Sequence, residues 1–217
     1  MHERPDLSRE LRLWQAGYRA VAGVDEAGRG AWAGPVVAAA VIFPPQPAPL
    51  EPLLGRLDDS KRLTPKARAE LFPLILARAM AVGVGFSSVD EISELGVVNA
   101  TVQAMCRALT SLSSPPDFLL LDYLTLPEMP LPQESLPHGD ALSFSIAAAS
   151  IVAKVTRDRW MAAQDSVFAG YGFARHKGYG TAEHRAALER LGPCPLHRVR
   201  FRPVAEALAQ PGQAGWP

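Results

Sequence analysis

Short apolar runs and helical stripes follow one another along this chain, and their order predicts its elements. Residues 8–18 carry Leu11, Leu13 and Trp14 and read as a short helix. Residues 20–25, with Val21, Ala22 and Val24, read as a strand. The run 35–43, PVVAAAVIF, lies between Gly34 and Pro44, and its length and β-branched content suit a buried strand. Two strands around a short glycine-rich segment predict a hairpin with an elaborate loop. The proline-rich stretch 44–52 is expected at the surface. Thr64-Pro65 supplies an N-cap and a first-turn proline, after which Leu71, Leu74, Ile75 and Ala79 recur at helical spacing.

Further on, 81–86 reads as a strand. Residues 93–112 read as a helix with Val97, Val98, Val102, Met105, Cys106 and Leu109 on one side. Residues 118–121 form a short buried strand that ends at Asp122, and 123–139 is a polar, proline-rich loop with a short strand near Leu136. A long helix is expected over 145–168, its small-residue start Ala147-Ala148-Ala149-Ser150 narrow enough to pack closely on a sheet, and a last helix over 181–190. Early strands followed by alternating helices and strands predict a mixed α/β sheet with helices on both faces. Ligands of such sheets gather at strand ends. Asp25 and Asp122 each close a strand; if those strands are neighbours, about 4.8 Å apart, both carboxylates face one point.

Composition narrows the class. The 217 residues are 48% hydrophobic and 20% charged, which suits one globular domain. No apolar run reaches a membrane span, and the charged start MHERPD lacks a signal-peptide core, so a cytoplasmic protein is expected. Cys106 and Cys194 read as free thiols. Net charge is zero, but 154–202 holds ten Lys and Arg against four acids, which favours phosphate contact there. His176, His184 and His197 lack zinc spacing and are expected at the surface or facing phosphate, while Trp32 and Trp160 are expected to pack.

The candidate chemistry is acidic. Asp25, Glu26, Asp122 and Asp140 raise one another's pKa if they cluster, and divalent Mg2+ or Mn2+ resolves that repulsion. Two such ions about 4 Å apart suit phosphodiester hydrolysis. From spacing alone a turn or capping role for Asp140 competes with this reading. Asp158, flanked by Arg157 and Arg159, is expected to be structural.

Several ordered blocks carry a resemblance. Val24-Asp25-Glu26-Ala27-Gly28-Arg29-Gly30, then AGPVVAAAV over 33–41, DSKRL over 59–63, Leu121-Asp122, Gly139-Asp140, AASIVAKVTRD over 148–158 and HKGYGT over 176–181 closely resemble bacterial ribonuclease HII from about residue 20 to 203. The resemblance implies a ribonuclease H-like mixed five-stranded sheet flanked by helices, with a C-terminal helical extension. It divides the chain into a helical lead-in (1–19), a catalytic domain (20–205) and a disordered tail (206–217). It implies an endonuclease that cuts RNA hybridised to DNA and nicks 5′ to a single ribonucleotide embedded in duplex DNA, leaving 3′-hydroxyl and 5′-phosphate ends. By motif position Asp25, Glu26, Asp122 and Asp140 are the metal-binding acids. Gly28, Arg29 and Gly30 contact the ribonucleotide, with Arg29 reaching substrate rather than pairing with Glu26. Tyr179 packs on its sugar, and Lys61, Lys154, Arg157 and Lys177 are candidates for phosphate. A monomer is implied.

This chain departs from the family pattern at Ala141, at Tyr123 and in the proline-rich loop 123–139, none of which touches an acid. Ribonuclease HIII shares the core motifs but carries an extra N-terminal domain, which about 20 residues before the first motif do not provide. A non-catalytic hybrid-binding module is the competing class, and it should have lost a carboxylate. A sliding-clamp partner is conceivable, but QPGQAGW over 210–216 lacks a paired-aromatic ending.

Overall fold

The computed structural model describes residues 4–209. Helix α1 (Ser8–Gln15) leads into β1 (Val21–Ala27), which turns back as β2 (Val36–Ile42). Then come α2 (Pro65–Arg78), β3 (Ala81–Ser87), α3 (Val89–Thr110), β4 (Phe118–Asp122) and β5 (Gln133–Leu136). Helices α4 (Phe144–Ala163), α5 (Phe173–His176), α6 (Ala182–Leu191) and α7 (Arg202–Leu208) follow among the described residues.

The five strands form one mixed sheet in the order β3-β2-β1-β4-β5. The β1–β2 pair is the antiparallel hairpin read from the sequence, with Asp25 opposite Ala39. Strand β4 lies parallel to β1, with Val24 opposite Leu121, so Asp25 and Asp122 follow at adjacent strand ends. Side-chain alternation divides the core. Ala39, Val41 and Leu120 face α4 and α2, whereas Val24, Ala38, Ala40 and Leu121 face α3.

Helix α4 lies almost in contact with β1. A Cβ at Gly23 would fall 2.2 Å from the Ser145 carbonyl carbon and 2.4 Å from the Ile146 nitrogen, so only glycine fits. Ala147, Ala148, Ala149 and Ser150 are buried, as their small size anticipates. The start of α4 is anchored by buried Glu10 of α1, which accepts from Ser143 Oγ, Ser145 Oγ and Ser145 N–H. The lead-in therefore packs into the same core, through Leu13 and Trp14.

Several boundaries differ from expectation. Helix α3 begins at Val89 rather than near 93, because Ser88 and Glu91 form a capping box, and it kinks at Gly96 (φ 78°). Helix α4 ends at Ala163 rather than 168. The expected tail is helical through Leu208, since Val204 and Ala207 pack against Leu188. The disorder expected at 210–217, and the segment 210–216 read against a clamp-binding ending, lie outside the described residues. At the sheet edge, Ser111 Oγ bonds the Val84 N–H and carbonyl, and Arg107 donates to the Phe86 carbonyl. These side chains occupy groups that would otherwise recruit another strand.

Candidate active site

A cleft of about 600 Å³ opens where β1 and β4 end. Asp25, Glu26 and Asp122 line it, together with the Gly28-Arg29-Gly30 turn, Lys61, Lys154 and Tyr179. Asp140, in the short turn before α4, is buried behind Lys61, whose Nζ stands 3.7 Å from Asp140 Oδ2. The sheet register explains the convergence of Asp25 and Asp122. Asp140 joins them because Asp122 Oδ1 accepts the Gly139 N–H at 2.7 Å, tying the two acid-bearing segments together.

Their electrostatics are unfavourable without counter-charge. Burial, then the charges of Glu26, Asp122 and Asp140, holds the Asp25 carboxyl well above the usual range. Burial also raises Glu26, opposed by Arg29, and Asp122, opposed by the Gly139 N–H and Lys61. Asp140 is pushed up to about 6 by burial, then by the charge and hydrogen bond of Asp59. Among the described residues no three His, Cys, Asp or Glu side chains close on one ion-sized point. Each acid instead holds a local partner: Asp25 Oδ1 accepts the Glu26 N–H, and Glu26 Oε1 stands 3.2 Å from Arg29. The donor set still fits hard cations. Glu26 Oε2 and Asp140 Oδ2 are buried without a hydrogen-bond donor, and carboxylate oxygens are the ligands Mg2+ and Mn2+ prefer.

Arg29 therefore pairs with Glu26, contrary to expectation, because three residues of tight turn bring the guanidinium back over the strand end. It also stands 5.9 Å from the ring centre of Tyr123. Tyr123, exposed and left-handed (φ 61°), takes a conformation that favours glycine, so the departure noted in the sequence is a real strain beside the site.

The basic residues separate. Lys154 bonds Asp158 at 2.8 Å and stands 4.9 Å from the Tyr179 ring centre, at the cleft. Lys61 reaches the acids, and its segment is held by Ser150 Oγ on Ser60 Oγ and by Arg68 on the Ser60 and Leu63 carbonyls. Lys177 lies in a neighbouring cavity, its ammonium bonded to the Ala174 carbonyl. Arg157 is no phosphate ligand. It is fully buried and donates to the carbonyls of Pro35, Lys177 and Ala33, because its helix runs under the two loops that carry them. Gly28 is obligatory there, since a Cβ would lie 2.1 Å from Arg157 Nε. Buried Arg198 similarly holds the Gly34 and Arg29 carbonyls. Asp158 pairs with Lys154 and Arg68, the structural role expected of it.

His176, His184 and His197 are buried rather than surface or phosphate-facing. They pack with Phe173 and Tyr171 behind the Tyr179 loop. Sequence reading passed over Asp59, Arg68 and Arg198; only the position of the first two, in and just after the DSKRL block, offered a signal. Cys106 and Cys194 are free thiols, as expected.

A mixed five-stranded sheet with helices on both faces and carboxylates at the ends of its paired parallel strands is a ribonuclease H-like fold. Comparison with known proteins agrees and is more specific. The chain belongs to the Ribonuclease HII family, which it matches over residues 22–204. It is 55% identical over 199 residues to the Ribonuclease HII of Syntrophotalea carbinolica, covering 92% of this chain and 93% of that one. Its fold is similar to that of ribonuclease H2 from Pyrococcus horikoshii OT3 (TM-score 0.72, 25% identity, 86% of this chain and 96% of that one). It is also similar to Bst ribonuclease HIII, solved in complex with Mn2+ (TM-score 0.70, 20% identity, 90% and 71%), a likeness of fold. The protein is thus a ribonuclease, a hydrolase of the ribonuclease H type. No helix among the described residues is long and apolar enough to cross a membrane.

Proposed function

We propose that this ribonuclease hydrolyses the RNA strand of RNA–DNA hybrids and nicks 5′ to single ribonucleotides in duplex DNA, giving 3′-hydroxyl and 5′-phosphate ends. The observation that carries this reading is the shared cleft: carboxylates at the ends of adjacent parallel strands face the same space as a glycine-framed turn and Tyr179. The 2′-hydroxyl is what distinguishes RNA from DNA at one nucleotide, and the backbone of Gly28-Arg29-Gly30 is bare enough to approach it. A Cβ at Gly30 would meet nothing within 4 Å, so that backbone is open to a ligand. Tyr179 supplies a ring to pack on the sugar, and Lys61 and Lys154 supply charge for phosphate.

Asp25, Glu26, Asp122 and Asp140 would hold divalent cations, Mg2+ or Mn2+. When bound, these ions supply a reactive water at neutral pH and charge for the leaving oxygen. The acids position those ions. Arg29 would exchange Glu26 for substrate when a cation takes the carboxylate. All four acids are present, which disfavours a binding module that has lost catalysis. The protein would work as a monomer in the reducing cytoplasm, where two free thiols are stable.

The test uses duplex DNA with one embedded ribonucleotide, with and without Mg2+ or Mn2+, the product ends mapped. Wild type should nick only with metal, 5′ to the ribonucleotide. Asp122→Asn should lose nicking by about 10³-fold or more, since transition-state electrostatics of this kind are worth several kcal/mol, while still binding the hybrid. Full metal-dependent nicking by Asp122→Asn would refute the assignment.

A further inference from the structure

The histidines behind the Tyr179 loop form a connected chain. His184 Nδ1 lies 3.0 Å from the Tyr179 carbonyl oxygen, and His184 Nε2 lies 3.1 Å from His197 Nε2. The Cys194 N–H points at His197 Nδ1 at 2.9 Å. Both rings are buried.

These contacts fix the proton positions from both ends. A carbonyl oxygen only accepts, so His184 carries its proton on Nδ1. As a neutral imidazole it then accepts at Nε2, so His197 must donate from Nε2. That leaves His197 Nδ1 as an acceptor, and a backbone N–H is already aimed at it. The Cys194 carbonyl also lies 3.2 Å from His197 Nδ1, but it already receives the His197 N–H at 2.9 Å, whereas the Cys194 N–H would lose its acceptor if Nδ1 were protonated. His176 is settled the same way. It accepts the Gly178 N–H at Nδ1 and donates from Nε2 to the Tyr171 carbonyl at 2.8 Å.

The chain ends on the backbone of the residue offered above as the sugar-packing group. The Tyr179 N–H is bonded to the His176 carbonyl, and its own carbonyl takes His184 and Thr181 N–H together. His176 stacks on His184 with ring centres 4.3 Å apart. From this geometry we infer that His197 and His184 are positioning residues, a one-way relay from the Cys194 N–H to the Tyr179 carbonyl that fixes Tyr179 for the ribose. Burial in an apolar cage of Phe173 and Tyr171 keeps both rings neutral, because desolvation penalises the imidazolium. A positive charge on either ring would put two N–H groups face to face or turn Nδ1 of His197 against the Cys194 N–H.

The relay itself stands on these contacts; its consequence for catalysis rests on the proposed role of Tyr179. The two are separated experimentally. Long-range 1H–15N correlation on the full-length protein reads the tautomers directly, assigned with single histidine variants. His184 should be the Nδ1–H form and His197 the Nε2–H form. The opposite tautomer at either ring overturns the relay, whatever the enzyme does. His197→Phe keeps the ring volume but removes the donor to His184. It should lower kcat at a lone ribonucleotide about tenfold with KM changed less than about twofold, because misplacement of a positioned group by an ångström is costly in rate. His197→Gln, whose amide nitrogen donates and whose oxygen accepts, should restore kcat to within about threefold. Wild-type kcat in a folded His197→Phe enzyme overturns the positioning role. If Tyr179→Ala alone leaves that rate unchanged, the sugar-packing reading of Tyr179 fails instead, and the tautomer spectrum still decides the relay.

Discussion

Gly23→Ala tests how closely the acid-bearing strand β1 depends on α4. The new Cβ would lie 2.2 Å from the Ser145 carbonyl carbon and 2.5 Å from its oxygen, all backbone atoms of a helix start. Ordinary contact begins near 3.4 Å, so about 1.2 Å of separation must be found. No side-chain rotation can supply it, and Glu10 holds this helix start by three hydrogen bonds. Overpacking of this kind costs about 1–3 kcal/mol, offset in part by the roughly 0.5–1 kcal/mol that alanine gains over glycine in a strand. The net loss of about 1–2 kcal/mol corresponds to a Tm lowered by roughly 2–8 °C for a chain of this size. Asp25 sits two residues on, on the same face, so a shift near 1 Å should cost about 10²-fold in cleavage. Thermal unfolding and metal-dependent nicking measure both. Gly30→Ala, with nothing within 4 Å, should leave Tm unchanged or raised. Wild-type Tm and full nicking in Gly23→Ala would refute the argument.

Three further outcomes are expected. Arg157→Lys keeps the charge but loses the fork that serves three carbonyls; at about 1–3 kcal/mol per buried group left unpaired, Tm should fall by at least about 4 °C in calorimetry. Burial pushes His184 down to about 4 and His197 down to about 3, with His184 adding repulsion at His197 and the Tyr179 and Cys194 backbones opposing the shifts. The unfolded chain therefore binds more protons below about pH 6.5, and stability present above that value should drain away as pH falls toward 4 and then 3, a loss that denaturant titrations across pH 7 to 4 will show and that His197→Gln should reduce. Mg2+ or Mn2+ at millimolar concentration should raise Tm, because the ions relieve the mutual repulsion of Asp25, Glu26 and Asp122, and Asp122→Asn should shrink that rise.

Local signals carried much of the fold into the sequence. Thr64-Pro65 marks the start of α2 because an N-cap oxygen and a first-turn proline act within one turn, and Thr64 Oγ1 does accept the Ala67 N–H. The run at 35–43 suits a buried strand by its length and β-branched content, and β2 occupies it. The true start of α3 was also present, as Ser88 with Glu91, but its polar first turn, Asp90-Glu91, masks the hydrophobic period. Asp25 and Asp122 could be placed at strand ends, yet their adjacency comes from the parallel pairing of β1 with β4, set by α3 and its flanking strands rather than by any local pattern. The basic segment misled for a related reason. Counting charge says nothing of burial, and the carbonyls that receive Arg157 belong to residues 33, 35 and 177. The histidines at 176, 184 and 197 likewise meet only through tertiary packing, so their tautomers have no trace in the spacing.

The acid-bearing strand β1 is the middle member of its sheet, clasped by β2 on one side and β4 on the other. Asp25 and Asp122 consequently cannot drift apart to ease their mutual dislike. If these acids hold divalent ions as proposed, withdrawing the ions should leave the sheet intact, and rebinding should demand no rebuilding of the chain. Amide protons of Val24 and Leu121 should accordingly exchange with solvent as slowly without added metal as any in the molecule, a frame set before any ion arrives.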